Sequence, residues 1–274
     1  MYFMNNCHKP LSPNFVTGLV DAEGSFIISI YINRKLKTGW RVIPIFQIGL
    51  HNKDRAFLEQ IKSSLGVGQI YKQGKDMNQL RVFSMNELGQ IIDHFENYPL
   101  ITQKWADYEL FKQAVEMINR KEHLTEEGLK KIVAIKASMN NGLSSGFKSA
   151  FPSIIPVPRP VVEGQEIKDP HWLAGFTTGE GCFNINITKS STNKAGFQVQ
   201  LKFQITQHIR DAELLKSLVS YLSCGYYYAS KGRDCGDFLA IRFPDQVRSS
   251  HSSRNTLYKV LKQMISLTSV KLPN

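Results

Sequence analysis

The sequence predicts an α+β fold built twice, and three observations carry that prediction. The segment 12–26, SPNFVTGLVDAEGSF, returns at 169–183 as DPHWLAGFTTGEGCF, aligned without a gap through Pro13/Pro170, Gly18/Gly175, Glu23/Glu180, Gly24/Gly181 and Phe26/Phe183. A constant offset of 157 residues across such matches marks an internal duplication. Each copy leads into paired stretches of period-two alternation, followed by segments of helical period. Between the copies, residues 140–170 lapse into glycine, serine and five prolines. The repeating unit is therefore αββαββα. Residues 1–140 form the first repeat, 141–170 an extended linker and 171–274 the second repeat.

The duplicated segment reads as a short helix with marked ends. Ser12 and Asp169 are suitable N-caps, and each is followed by proline at the first helical position, where its missing N–H costs nothing. Gly24 and Gly181 stop the helix. Gly18 and Ala22 lie one turn apart, as do Gly175 and Gly179. Small residues at that spacing let two backbones approach, so the two helices are expected to pack on each other. Glu23 and Glu180 stand at helix C-termini, where the macrodipole disfavours negative charge. A local rule broken twice at the same place points to function.

After the first helix, Phe26, Ile28, Ile30 and Ile32 alternate with Ser25, Ile27, Ser29, Tyr31 and Asn33. A basic turn through Arg34, Lys35 and Lys37 leads to Trp40, Val42, Pro44, Phe46 and Ile48, with Arg41, Ile43, Ile45 and Gln47 opposite. Residues 53–65 carry helical spacing, closed by Gly66; 69–73 and 79–83 form a second strand pair around a polar turn. Residues 86–96 and 103–118 are amphipathic helices, and Thr125 opens a third that runs toward Met139. In the second copy, Phe183, Ile185 and Ile187 are expected to face inward, with Cys182, Asn184, Asn186 and Thr188 opposite. Phe197, Val199, Leu201, Phe203 and Ile205 continue the inner face. The outer face of Gln198, Gln200, Lys202, Gln204 and Thr206 carries no acid. Residues 211–222 give the matching helix, and 226–243 the matching strand pair.

Composition narrows the function classes. Lys and Arg number 34 against 23 Asp and Glu, a net charge of +11, which favours a polyanionic partner. The four cysteines form no C-x-x-C pair, so neither a zinc site nor a disulfide framework is indicated. No apolar run is long enough to span a membrane, and no secretory signal is present. The seven histidines show no metal-ligand spacing, and His208 reads as structural.

The nonapeptides VTGLVDAEG (Val16–Gly24) and LAGFTTGEG (Leu173–Gly181) resemble the two signature helices of the LAGLIDADG homing endonucleases, in the monomeric two-motif form of fungal organelle introns. The likeness runs from about Pro13 to about Phe243; Thr178 departs from it, standing where the family commonly has an aspartate matching Asp21. The resemblance implies two pseudo-symmetric repeats forming a saddle-shaped sheet surface over double-stranded DNA with a long asymmetric target. It also implies one acid per strand, Glu23 and Glu180, each directing a divalent cation at one phosphate with Ala22 and Gly179 beside them. Oxygen ligands of this type suit Mg²⁺, two or more ions in all. Gln207 fits an outer pocket position, whereas its first-repeat counterpart is Leu50, so the two pockets are expected to be unequal. The DNA-reading set is then Ser25, Ile27, Ser29, Tyr31, Asn33, Lys35, Arg41, Ile43, Gln47, Gln69, Tyr71 and Arg81 in the first repeat. In the second it is Cys182, Asn184, Asn186, Thr188, Gln198, Gln200, Lys202, Gln204, Lys231 and Arg233, and Lys104 is a further cation before a helix. Gln and Asn pair bidentately with adenine, and Lys contacts guanine.

Three functions stay open at this point: a DNA endonuclease, an intron-RNA-binding maturase that does not require both acids, and a DNA-binding remnant that no longer cuts. The first eleven residues carry one lysine and no arginine, unlike a transit peptide, which fits a mitochondrial gene product or a piece of a longer reading frame.

The end of the chain breaks the repeat. After Phe243 a helix, a Tyr-Pro stop and further helices are expected, yet no acid follows Asp245 and nothing matches residues 125–139. Residues 255–262 (NTLYKVLK) can be encoded AAT ACC CTA TAC AAG GTG TTA AAG; begun one base earlier on an A, the same bases read KYPIQGVK. Extended over codons 249–273, the shifted reading permits IIPFLKKYPIQGVKANDFIDFCKVA, which parallels IIDHFENYPLITQKWADYELFKQAV at 91–115. Residues after about 245 are therefore expected to be read out of frame, leaving the second repeat incomplete.

Overall fold

The computed structural model describes residues 10–242, so the reading-frame expectation concerns residues outside those described. The chain clusters into two units: Met1–Val16 with Glu23–Glu163, and Thr17–Ala22 with Gly164–Asn274. Helix α1 (Pro13–Glu23) therefore serves both, its middle six residues belonging to the second.

In the first unit, β1 (Gly24–Ile32), β2 (Trp40–His51), β3 (Gln69–Gln73) and β4 (Met77–Val82) form an antiparallel sheet in the order β1-β2-β4-β3. Helices α2 (Arg55–Leu65), α3 (Met85–Asn97), α4 (Lys104–Asn119) and α5 (Glu126–Ala137) complete the αββαββα plan. The expected apolar face is the core: Phe26, Ile28, Phe46, Ile48, Leu80 and Val82 are all buried. The Phe26 ring lies 5.4 Å from Phe46, Tyr108 and Phe111 and 5.6 Å from Phe95. The sheet is thus sealed by aromatics from α3 and α4, a packing that contributes beyond area burial alone. A polar clasp joins those helices: the Tyr108 hydroxyl donates to Glu96 at 2.6 Å and the Lys112 ammonium lies 2.8 Å from the same carboxylate. Hydrogen bonds from Lys112 and Tyr108 hold the Glu96 carboxyl below its usual range. Thr125 caps α5 by accepting from the Gly128 N–H.

The segment read as an extended linker is only partly so. It contains a short helix, α6 (Ser145–Ala150), whose Phe147 and the following Phe151 stack on Trp40 at 5.7 and 5.1 Å. Farther on, Arg159 forks onto both Asp107 oxygens at 2.7 and 3.0 Å and donates to the Ser138 and Gln103 carbonyls. Tertiary contacts override a coil-forming composition here, and the linker as far as Glu163 belongs to the first unit.

The second unit repeats the plan with α7 (Pro170–Glu180), β5 (Gly181–Lys189), β6 (Phe197–His208), α8 (Ala212–Leu222), β7 (Tyr226–Ala229) and β8 (Cys235–Arg242), in sheet order β5-β6-β8-β7. The register is duplicated residue for residue: Gly24 pairs with Ile48 and Gly181 with Ile205, while Phe26 pairs with Phe46 and Phe183 with Phe203. At the fourth strand the offset grows by one, since Ile48 pairs with Leu80 but Ile205 with Phe238. Both 3₁₀ turns after the second strand of each repeat are capped alike, by ring nitrogens of His51 and His208, which gives His208 its expected structural part.

Burial is where the second unit departs from expectation. Phe203, Ile205, Phe238 and Ala240 are buried beside the apolar stripe of α8, but Phe183, Ile185, Ile187 and Phe197 are 56, 69, 66 and 52% exposed. Of their first-repeat equivalents, Phe26 lies under rings of α3 and α4 and Trp40 under Phe147 and Phe151; among the described residues of the second unit no helix follows β8 to take the place of α3 and α4.

Candidate nucleic-acid interface

Strand pairing fixes which side chains share the outer face of each sheet. In the first unit, Ser25 lies opposite Gln47, Gln47 opposite Arg81 and Arg81 opposite Gln69, so the four form one row. Ile27, Ser29, Tyr31, Arg41, Ile43 and Tyr71 share that parity, while Asn33 and Lys35 follow in the turn, where the Asn33 side chain accepts the Lys35 N–H. Ile45 shares the parity but is buried, so it is not part of an open surface. The same pairing adds Gln73 and Gln79, which the sequence reading did not include.

In the second unit, Cys182, Asn184, Asn186 and Thr188 run opposite Gln204, Lys202, Gln200 and Gln198. Asn186 reaches Gln200 at 3.4 Å, and Asn184 donates to the Cys182 sulfur at 3.1 Å. This face does carry an acid. Asp237 pairs with Thr206 across β6 and β8, and with Tyr228 across β7 and β8. It accepts hydrogen bonds from Gln204, Thr206 and Ser230. Burial pushes the Asp237 carboxyl up, but bonds from Thr206, Gln204, Ser230 and Tyr228 together outweigh it and hold the group ionised below its usual range. Gln204 is consequently committed to Asp237, while Gln198, Gln200 and Lys202 stay half-exposed. Tyr226 and Tyr228 add exposed rings to this face; their alternation in a four-residue strand was too short to read. Lys231 and Arg233 are exposed in the β7–β8 turn. Gln207 has the opposite parity, two residues beyond Ile205 and paired with Gly236.

The acids head these sheets. Glu23 ends α1 and Glu180 ends α7, each followed directly by the first residue of a strand. Gly181 does not stop α7 by a left-handed turn: its φ is −77°. Glycine is needed there for space, since a Cβ would sit 2.6 Å from the Thr177 carbonyl oxygen. Lys104, at the start of α4, donates to the Gly24 carbonyl at 2.6 Å, which puts an ammonium one residue from Glu23. Within the second unit, the α1 segment and α7 pack at backbone range, because a Cβ on Gly18 would meet the Trp172 carbonyl oxygen at 1.9 Å. The Trp172 indole N–H donates to buried Asp21 at 2.8 Å. Thr178, at the place matching Asp21, donates to the Ala174 carbonyl of its own helix.

For a cation, each repeat supplies oxygen donors alone: one carboxylate, and the backbone carbonyls of the last helical turn, those of Ala22 and Gly179. That donor set fits a hard divalent ion that keeps much of its own hydration. Among the described residues no group of three or more His, Cys, Asp or Glu side chains gathers, and no helix is long and apolar enough to cross a membrane.

A duplicated α+β scaffold with amide-rich, cation-bearing sheet faces and one acid at the head of each sheet defines a nucleic-acid-binding class. The model of the LAGLIDADG endonuclease family matches residues 16–115 and 173–271, and the chain belongs to that family. It is 41% identical over 238 residues, 86% of its length and 44% of the other, to the probable intron-encoded endonuclease 3 of Neurospora crassa. The chain spans about half the length of the curated relatives it matches. Among solved structures it resembles the homing endonuclease I-SmaMI bound to cleaved DNA, with 39% identity, a TM-score of 0.86 and coverage of 94% of this chain and 86% of that one. It also resembles I-SmaMI bound to uncleaved target in the presence of calcium ions, at 39% identity and TM-score 0.83, covering 94% of this chain and 92% of that one.

Proposed function

We propose that this chain is a site-specific endonuclease that cuts one phosphodiester in each strand of double-stranded DNA and acts as a monomer. The observation that carries the reading is the repetition of Glu23 and Glu180 at the same structural place, against the local electrostatic preference, in a family of endonucleases. Glu23 with the Ala22 carbonyl, and Glu180 with the Gly179 carbonyl, would each hold Mg²⁺. The ion supplies charge relief at the phosphate and a water activated at neutral pH. Lys104, tethered to Gly24, brings positive charge beside Glu23, where the negative phosphate must be accommodated. The outer faces bind and orient the duplex. Gln200 and Lys202 are the side chains best placed to read base edges in one half-site, and Ser29, Tyr31, Arg41 and Gln47 in the other. Intron origin, in mitochondria, is part of the same proposal and is supported by the intron-encoded relatives.

The test is selection from a library of long duplex targets in Mg²⁺, followed by Glu23→Gln and Glu180→Gln on the recovered site. Each change should abolish double-strand cleavage while leaving affinity within roughly threefold, well under 1 kcal/mol. Chelation should stop cutting without releasing DNA. Unchanged cleavage, or affinity lost in step with cutting, would reject the assignment.

A further inference from the structure

We propose that the bare apolar face of the second sheet is the seat of a helix pair equivalent to α3 and α4, and that the gene encodes this pair one base out of the written frame. Phe183, Ile185, Ile187 and Phe197 are open in the described unit, whereas Phe26 and Ile28, the counterparts of the first two, are each 1% exposed, Phe26 beneath the α4 rings. Phe183 marks the part of the sheet that the α3 and α4 rings cover in the first unit, while the counterpart of Phe197 is Trp40, which Phe147 and Phe151 cover there. The part served by α8, around Phe203, Ile205 and Phe238, is closed in both.

The occupant can be named because its register is continuous with the sheet. Leu80 and Phe238 hold the same place in the two sheets, so from the fourth strand onward the repeats run at an offset of 158. The shifted-frame string begins on the codon of residue 249, and 91 + 158 = 249, so it aligns with 91–115 at that same offset without a gap. In a shifted codon the second and third bases are the first two of the written residue's codon, fixed except at Ser, Leu and Arg, and the first is limited to the third-base choices of the residue before it. The string nevertheless reproduces Ile91, Ile92, Tyr98, Pro99, Lys104, Asp107 and Phe111. It offers a phenylalanine at each of the positions of Tyr108 and Phe111, the two α4 rings that close over Phe26. The string also places a lysine where the first repeat uses Lys104 against Gly24. Apolar area on a sheet face is stabilising only once it leaves water, and among the described residues no helix covers these four side chains.

The gene and the protein test this separately from any cleavage. The natural nucleotides of codons 249–273, read one base earlier, should give an open reading with the apolar pattern above; a stop codon or a scrambled pattern overturns the proposal. Inserting one base between codons 243 and 247 restores the frame. The restored full-length chain should melt higher and bind a hydrophobic dye less than the written one. Ile185→Ala should lower the melting temperature of the restored chain by about 5 °C or more and leave the written chain within about 1 °C. Equal melting and an equal response in both chains would reject the seat. So would a restored chain that fails to fold, or a written chain that dimerises with Ile185 protected from exchange.

Discussion

Phe26 and Phe183 sit at the same register position of the same strand in duplicated sheets, facing Phe46 and Phe203. One touches four aromatic rings and is sealed; the other has only Phe203 as a ring neighbour among the described residues, and is 56% exposed. Alternation along a strand decides which side chains share a face, but it does not decide whether that face is dry. Dryness is conferred by the next layer, and among the described residues it is that layer which differs over these two rings.

The comparison can be broken most directly at those two residues. Phe26→Ala should cost about 3–5 kcal/mol, as a buried aromatic does, while Phe183→Ala in the written chain should stay within about 0.5 kcal/mol. Denaturant unfolding of the two variants measures both, and equal losses would mean the second face is covered. A pH titration sharpens the contrast. Burial lowers the His94 pKa on α3 to about 4, against an ordinary 6.5, so the unfolded chain binds the proton more readily. Stability should be unaffected above about pH 7 and fall by roughly 3 kcal/mol as pH drops from 6.5 to 4, with no further His94 contribution below. His94→Phe should flatten that limb; a limb unchanged in the variant would assign it to other groups. Next comes Gly18→Ala. In an open helix it would help by up to ~1 kcal/mol. Against the Trp172 carbonyl it should instead destabilise by about 1–3 kcal/mol, read as a lower melting temperature. The smallest effect concerns the outer faces. Gln200→Ala should relax preference at a few base pairs, by about 1–3 kcal/mol at most. Gln204→Ala should leave base preference nearly unchanged, because that amide serves Asp237. Uniform weakening across sequences by both would make them phosphate contacts.

The duplicated plan, the caps, the strand pairs and the two acids were legible because each depends on residues near one another in sequence. What escaped the reading depends on distant partners. Asp237 joins the polar face only through the pairing of β8 with β6, across a hairpin one residue longer than its counterpart. Helix α6 forms from a Gly- and Ser-rich stretch because Trp40 offers a platform about a hundred residues earlier. Lys104 reaches back 80 residues to Gly24. Gly181 looked like an ordinary helix stop, and the crowding from Thr177 that requires glycine there appears only in three dimensions.

The shared use of α1 has a consequence for how the chain is made. Thr17–Ala22 belong to the unit that begins at Gly164, and Asp21 is completed by Trp172. A ribosome adding about 5–20 residues per second delivers that tryptophan roughly 8–30 s after the aspartate. For that interval a nascent helix with a small, apolar flank waits without its companion.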